Sequence, residues 1–329
     1  MSQNPSAAGW RRAVQNLILL VAGATVGLAL AEGGARAVYD RPWFDQLGEQ
    51  QEQAETLDYQ LNSFGLRGSD FEQPKPDGVQ RVYMAGDSFT FGMGVADGQA
   101  VMPALVEQKL SRPGAAVEVL NGGMLRGSLP RHWLKKWWRI QDPFDPDVVL
   151  IVFFLRDGTN TGSIPAFFGQ VRSEITDRNR TDVLYQSSFL YRLYRDRTDR
   201  DLLADRYTQA FRDAYFGSAQ QQKEWHSAQY NVLEIKKAAE ARGARVGFVI
   251  YPILVDLAED NYPFQDICDL LEQFANERGL PVLNLLPSFL GEKGPELWVS
   301  PLDQHPNEKA HAIAAEAVAP FVEQLLSDV

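Results

Sequence analysis

Five short apolar runs recur along the chain: Val82 to Ala85, Val117 to Leu120, Val148 to Phe154, Val246 to Tyr251 and Pro281 to Leu285. Between them lie stretches with helical spacing, around Ala100 to Leu110, Pro130 to Ile140, Glu224 to Arg242 and Phe264 to Arg278, and a last one follows at Glu308 to Leu326. This alternation constrains the fold more than any other feature. Strands separated by a helix need crossover connections, which predicts a parallel sheet covered on both faces. The right-handed crossover rule then leaves few topologies. The expected class is α/β, a three-layer α/β/α domain around a mainly parallel five-stranded sheet. Residues 159–222 break the rhythm and read as an insertion rich in Arg, Asp, Tyr and Phe. No internal repeat is visible.

The stretch Val82-Tyr-Met-Ala-Gly-Asp-Ser-Phe-Thr-Phe-Gly-Met-Gly94 places one hydroxyl, Ser88, at a turn between a strand and a helix. Ligands bind at the carboxyl edge of strands in open α/β sheets, and the helix that follows supplies free N–H groups for a developing oxyanion. A serine needs a base and a group to orient that base. Asp303-Gln304-His305-Pro306-Asn307 offers both, with a carboxylate two residues before an imidazole and Asn307 as a helix N-cap. The chain has four histidines, His132, His226, His305 and His311, and only His305 is flanked in this way. The bland reading makes Ser88 a helix cap and His305 a surface loop residue.

Gly86-Asp87-Ser88 resembles the first block of the SGNH (GDSL-type) hydrolases, Asn121-Gly122-Gly123 the second, Phe154-Leu155-Arg156-Asp157 the third, and Asp303-Gln304-His305-Pro306-Asn307 the last. The blocks occur in order, over roughly Asn62 to Val322. The resemblance implies a flavodoxin-like strand order and acyl transfer to Ser88. His305 would be the base, Asp303 would hold its tautomer, and an imidazole's ordinary pKa of about 6.5 suits acceptance and return of a proton. It also implies oxyanion donors: the backbone N–H groups of Ser88 and Gly123 and a side chain from the third block. The glycine is expected because a Cβ there would crowd the substrate carbonyl. Two positions depart from the pattern. Arg156 stands where the family usually has asparagine, and one residue rather than two separates Asp303 from His305. Arg156 or, from the following loop, Asn160 is expected to supply the missing donor; a third arrangement pairs Arg156 with Asp157 and leaves two donors. Asn62-Ser63-Phe64-Gly65-Leu66-Arg67-Gly68 resembles a lead-in found in membrane-tethered members, in which Arg67 could pair with a core carboxylate.

Residues 13–31 carry no charge and follow Arg11-Arg12, so they read as a transmembrane anchor or a signal segment after a cytoplasmic N-terminus at 1–12. Ala29-Leu30-Ala31 fits a small-residue cleavage pattern. Either way the domain at 62–329 is expected outside the cytoplasmic membrane, raised on a juxtamembrane linker at 32–61. A net charge of −11 and a sequence pI near 4.9 argue against nucleic acid as a partner. Cys268, the one cysteine, matches no metal-ligand spacing, and neither a metal nor a cofactor is expected.

The reading that follows is a serine esterase acting on an ester of a carbohydrate, lipid or small alcohol. The alternatives are an O-acyltransferase acting on a cell-surface glycan with the same triad, and a non-catalytic glycan- or lipid-binding module. A nucleotide-binding domain fails because neither Gly-Lys-Ser/Thr nor G-x-G-x-x-G is present. Phe167, Phe168, Phe189, Tyr191 and Tyr194 of the insertion either line a substrate pocket or form the core of a helical subdomain. Trp133, Trp137 and Trp138 recur at helical spacing and read as packing.

Overall fold

The structure, a computed structural model, describes residues 7–40, 57–112, 116–125, 129–159, 161, 164–301 and 303–327. Most of the expected linker, and Asn160, therefore lie outside the described residues. The chain divides into two compact units, Met1–Gln46 with Phe168–Asp205, and Leu47–Phe167 with Arg206–Val329.

In the larger unit, β1 (Val79–Gly86), β2 (Ala116–Gly123), β3 (Val148–Phe154), β4 (Arg245–Tyr251) and β5 (Val282–Asn284) form one parallel sheet in the order β2-β1-β3-β4-β5. This is the doubly wound arrangement that the alternation predicts. β3 is buried at every position, as expected of a central strand covered on both faces. Its side chains alternate between two helical layers. Phe153 meets Trp133 of one helix (Pro130–Phe144) and Trp225 of another (Lys223–Glu240), with ring centroids 6.2 and 6.1 Å away. Trp225 also meets Phe274 of a third helix (Gln265–Glu277) edge-on at 5.3 Å. On the opposite layer Leu150 pairs in register with Gly247 of β4, and that glycine leaves room for Leu325 and Phe321 of the final helix. Trp133 and Trp137 are fully buried, whereas Trp138 is exposed.

In chain order the helices are α1 (Ala7–Val38), α2 (Ser88–Phe91), α3 (Met102–Leu110), α4 (Pro130–Phe144), α5 (Ile164–Thr181), α6 (Val183–Ser187), α7 (Phe189–Phe216), α8 (Lys223–Glu240), α9 (Gln265–Glu277), α10 (Leu286–Phe289) and α11 (Glu308–Ser327). A separate antiparallel pair, β6 (Trp298–Ser300) and β7 (Asp303–Pro306), precedes α11. β5 is shorter than the expected run because Pro281 has no N–H to add to the ladder, although its carbonyl still accepts from Phe248 N at 2.8 Å.

In the smaller unit, Phe189 is part of the packing between helices. Its ring packs edge-on against Tyr39 at 5.8 Å, between the guanidinium groups of Arg36 and Arg192. The side chain of Phe168 lies outside the described residues. Among the described residues, α1 is the helix long and apolar enough to cross a membrane or to serve as a signal sequence.

Candidate active site

β1 ends at Gly86, and Asp87 turns the chain into α2 by accepting the Phe89 N–H on its Oδ1 at 2.9 Å. Ser88 is therefore the first residue of α2, where a backbone N–H has no partner within the helix. The helix stops after one turn because Gly92, at φ +82°, folds its N–H back onto the Ser88 carbonyl at 3.0 Å. β2 presses closely against this turn. A Cβ on Gly123 would lie 2.2 Å from the Phe91 backbone nitrogen, so the approach of α2 by itself requires a glycine there. The Gly123 N–H donates to Asn121 Oδ1 at 3.0 Å.

Asp303 and His305 belong to β7, where alternate residues project to one side. That is why a two-residue separation serves. His305 Nδ1 lies 2.5 Å from Asp303 Oδ1, and the same oxygen accepts the His305 backbone N–H at 3.1 Å. The other ring nitrogen, Nε2, lies 2.9 Å from Ser88 Oγ. The chain thus brings together residues 217 positions apart. Burial works to raise the Asp303 carboxyl, but the hydrogen bonds from His305 and the imidazole's charge outweigh it and hold the group below the ordinary carboxylate range. The ring of Phe89 lies 5.5 Å from that of His305 and stacks on Phe154 at 3.8 Å, which leaves an apolar wall beside the imidazole.

Arg156 does not pair with Asp157. Its Nη2 donates to Asp87 Oδ2 at 3.0 Å, so the cation that replaces the family asparagine neutralises the carboxylate next to Ser88. Burial pushes Asp87 up, opposed by Arg156, the Phe89 N–H and His305. Asp157 accepts the Phe154 N–H at 2.8 Å and is driven well above the ordinary range by burial and by the charge on Asp87. Of the two acids, Asp87 is the one that meets a cation within hydrogen-bond distance. Asn160 lies outside the described residues.

Several supporting contacts could not be read from a motif. Arg67 finds no core carboxylate; its guanidinium donates to the carbonyls of Phe91, Gly92, Val95 and Ala96 at 2.6 to 3.3 Å, clamping the loop behind α2. Lys136 donates to the Gly123 carbonyl at 3.0 Å, and burial lowers its ammonium to about 8. Tyr215 donates to the Leu155 carbonyl at 2.5 Å and so fixes the turn that carries Arg156. Each of these contacts runs from a side chain to a backbone carbonyl, which leaves no mark on residue spacing.

Among the described residues no cluster of His, Cys, Asp and Glu is arranged to hold a metal ion. The profile of the GDSL-like lipase/acylhydrolase family matches residues 84–313. No curated protein matches the chain. Among solved structures the chain is similar to TesA, with a TM-score of 0.47 and 16% identity over 75% of this chain and 99% of that one. It is also similar to the psychrotrophic esterase EstA from Pseudoalteromonas sp., with 0.45 and 13% identity over 75% and 99%. A third is the lipase/acylhydrolase from Enterococcus faecalis, with 0.42 and 14% identity over 74% and 96%. The match covers most of the chain, including Ser88, Asp303 and His305, and the chain belongs to the GDSL-like lipase/acylhydrolase family of SGNH hydrolases, enzymes that act on ester bonds.

Proposed function

We propose that the protein is a serine esterase in which Ser88, His305 and Asp303 form the catalytic triad, and that it hydrolyses a carboxylic ester of a carbohydrate, lipid or small alcohol. The observation that carries this reading is the unbroken line Ser88 Oγ, His305 Nε2, His305 Nδ1, Asp303 Oδ1, with gaps of 2.9 and 2.5 Å. In the first half-reaction Ser88 Oγ attacks the acyl carbon as its proton passes to His305 Nε2, and the imidazolium then returns that proton to the departing alcohol. Asp303 keeps Nδ1 protonated, so that Nε2 is the free base, and offsets the transient positive charge. Water repeats the sequence to release the acid.

The negative charge that develops on the carbonyl oxygen is met by the Ser88 N–H and by Arg156, whose guanidinium is steadied on Asp87. The Gly123 N–H joins them only by releasing Asn121 Oδ1. Losing one such donor costs about 3 kcal/mol of transition-state stabilisation. The domain starting near Asn62 would stand outside the cytoplasmic membrane, since Arg11 and Arg12 precede the apolar helix and favour retention of that end inside.

A screen of p-nitrophenyl esters from acetyl to palmitoyl, with acetylated glycans alongside, tests the proposal. Hydrolysis that disappears in Ser88→Ala supports it, and the preferred chain length separates glycan from lipid substrates. Equal rates in wild type and Ser88→Ala would remove Ser88 from the mechanism.

A further inference from the structure

The lower end of α1 is bound into the helical insertion by polar contacts at one level. The Glu32 carboxylate accepts from Ser188 Oγ and Phe189 N, both at 2.7 Å, and from Leu190 N at 3.0 Å, so it caps the start of α7. Further along, Tyr39 Oη donates to Asp196 Oδ2 at 3.2 Å. The two helices therefore run side by side in the same direction from Glu32 and Phe189 onward, and α7 leads away from the apolar part of α1.

That apolar part ends at Ala31. Residues 13–31 rise about 28 Å as a helix, close to the roughly 30 Å of bilayer hydrocarbon. The segment has a mean hydropathy of 1.9 in its most apolar window, none of it buried. Glu32 is then at the depth where hydrocarbon gives way to headgroups, and the corner between α6 and α7 is held at that depth with it. This corner exposes apolar side chains that a solvated surface disfavours: Val183 (76%), Leu184 (59%), Leu190 (37%), Leu193 (37%) and Tyr194 (60%). Leu184 is tied to the same level, since its carbonyl accepts the Ser188 N–H at 2.9 Å. Leu190, Leu193, Tyr194 and the exposed Arg197 follow one another at helical spacing on α7. A stripe of leucines ending in tyrosine and arginine matches the order of a bilayer surface, where apolar side chains enter the acyl boundary, aromatic rings sit among headgroups, and arginines reach phosphates. Charge agrees: Met1–Gln46 and Phe168–Asp205 hold eleven arginines against ten acids, whereas the rest of the chain is net −12.

We propose that the α6–α7 corner is a membrane foot, seated in the headgroup layer of the same bilayer that α1 crosses, with phospholipid as its occupant. The proposal rests on α1 being a retained membrane span. Continuity decides for lipid over a protein partner, because the exposed leucines begin where the lipid-facing surface of α1 ends.

The test uses the full-length chain in phosphatidylcholine–phosphatidylglycerol vesicles. Cys268, the one native cysteine, is replaced by alanine, and a single cysteine carrying an environment-sensitive fluorophore is introduced at Leu184, Leu190, Leu20 or Asp205. Each variant is first shown to retain the parent's ester hydrolysis. Leu20 reports on the span, and Asp205 lies about 22 Å further along α7 than Leu190 by helical rise. Lipids with nitroxide near the headgroup should quench the labels at 184 and 190 at least threefold more than the label at 205, while deep nitroxides quench 20. Quenching at 20 with labels 184 and 190 behaving like 205 overturns the foot and leaves the span standing; the leucines would then face water or a protein. An unquenched label at 20 removes the span, and the foot with it.

Discussion

His305 and His311 lie six residues apart, one in the extended β7 and the other in the first turns of α11, and the fold treats their rings in opposite ways. His305 has a partner on each nitrogen, Asp303 on one side and Ser88 on the other, and stands at the edge of the sheet. His311 is fully buried. Its Nδ1 accepts the Met102 N–H at 3.2 Å, and Nε2 has no partner among the described residues. Burial, with Arg67 and His305 adding to it, drives His311 down to about 3. In the proposed triad an imidazole becomes a base through the carboxylate and hydroxyl that bracket it, and without them it is a small polar filler of the core.

The largest expected effect follows directly. His305→Ala should lower kcat/KM for an acetyl ester by about 10^4-fold, whereas His311→Gln should stay within about threefold of wild type; comparable losses in steady-state assays would erase the distinction. Next is stability against pH. The folded chain withholds a proton from His311 down to about pH 3, while the unfolded chain binds one near 6.5. The neutral ring thus favours the folded state fully above pH 6.5, and that contribution declines as pH falls toward 3. The decline is on the order of 5 kcal/mol. Urea melts of His311→Gln should show a shallower loss across this window, and an unchanged slope would contradict the assignment.

Two further substitutions sharpen the contrast. Arg156→Met strands the buried Asp87 charge and should cost about 3 kcal/mol in stability. If Arg156 also meets the oxyanion, kcat should fall about 10^2-fold with KM unchanged. A stability loss with normal kcat would confine Arg156 to charge neutralisation. The smallest effect is expected for Asn307, which joins the two histidines. Its Oδ1 accepts the Ala310 N–H at 3.1 Å to cap α11, and its Nδ2 donates to the carbonyls of Glu296 and Trp298. Asn307→Ala should cost about 1 kcal/mol in thermal unfolding.

Regular structure was legible because it follows from local pattern. The run Val148 to Phe154 is apolar without interruption, as only a strand buried on both faces needs to be, and β3 has those bounds. The alternation of runs likewise gave the layered parallel sheet. Asp303 and His305 were readable as a pair because alternate residues of a strand share a side. The partner of Arg156 was not, because Asp157 is adjacent in sequence while Asp87 arrives from the end of the neighbouring strand β1, far off in the chain. At Gly123 a Cβ would meet the Phe91 backbone, a crowding by a residue distant in sequence that spacing does not reveal. The clamp made by Arg67 was hidden for a similar reason: carbonyl oxygens carry no residue identity, so a guanidinium that binds four of them has no motif to announce it.

The central claim is that Ser88 is the nucleophile, activated by His305. Intact mass measurement after reaction with a fluorophosphonate, followed by peptide mapping, tests it most directly. A single adduct is expected on the peptide containing Ser88, formed at least a hundredfold more slowly in His305→Ala and absent in Ser88→Ala. An adduct on another residue, or labelling that proceeds at the same rate without His305, would contradict the account.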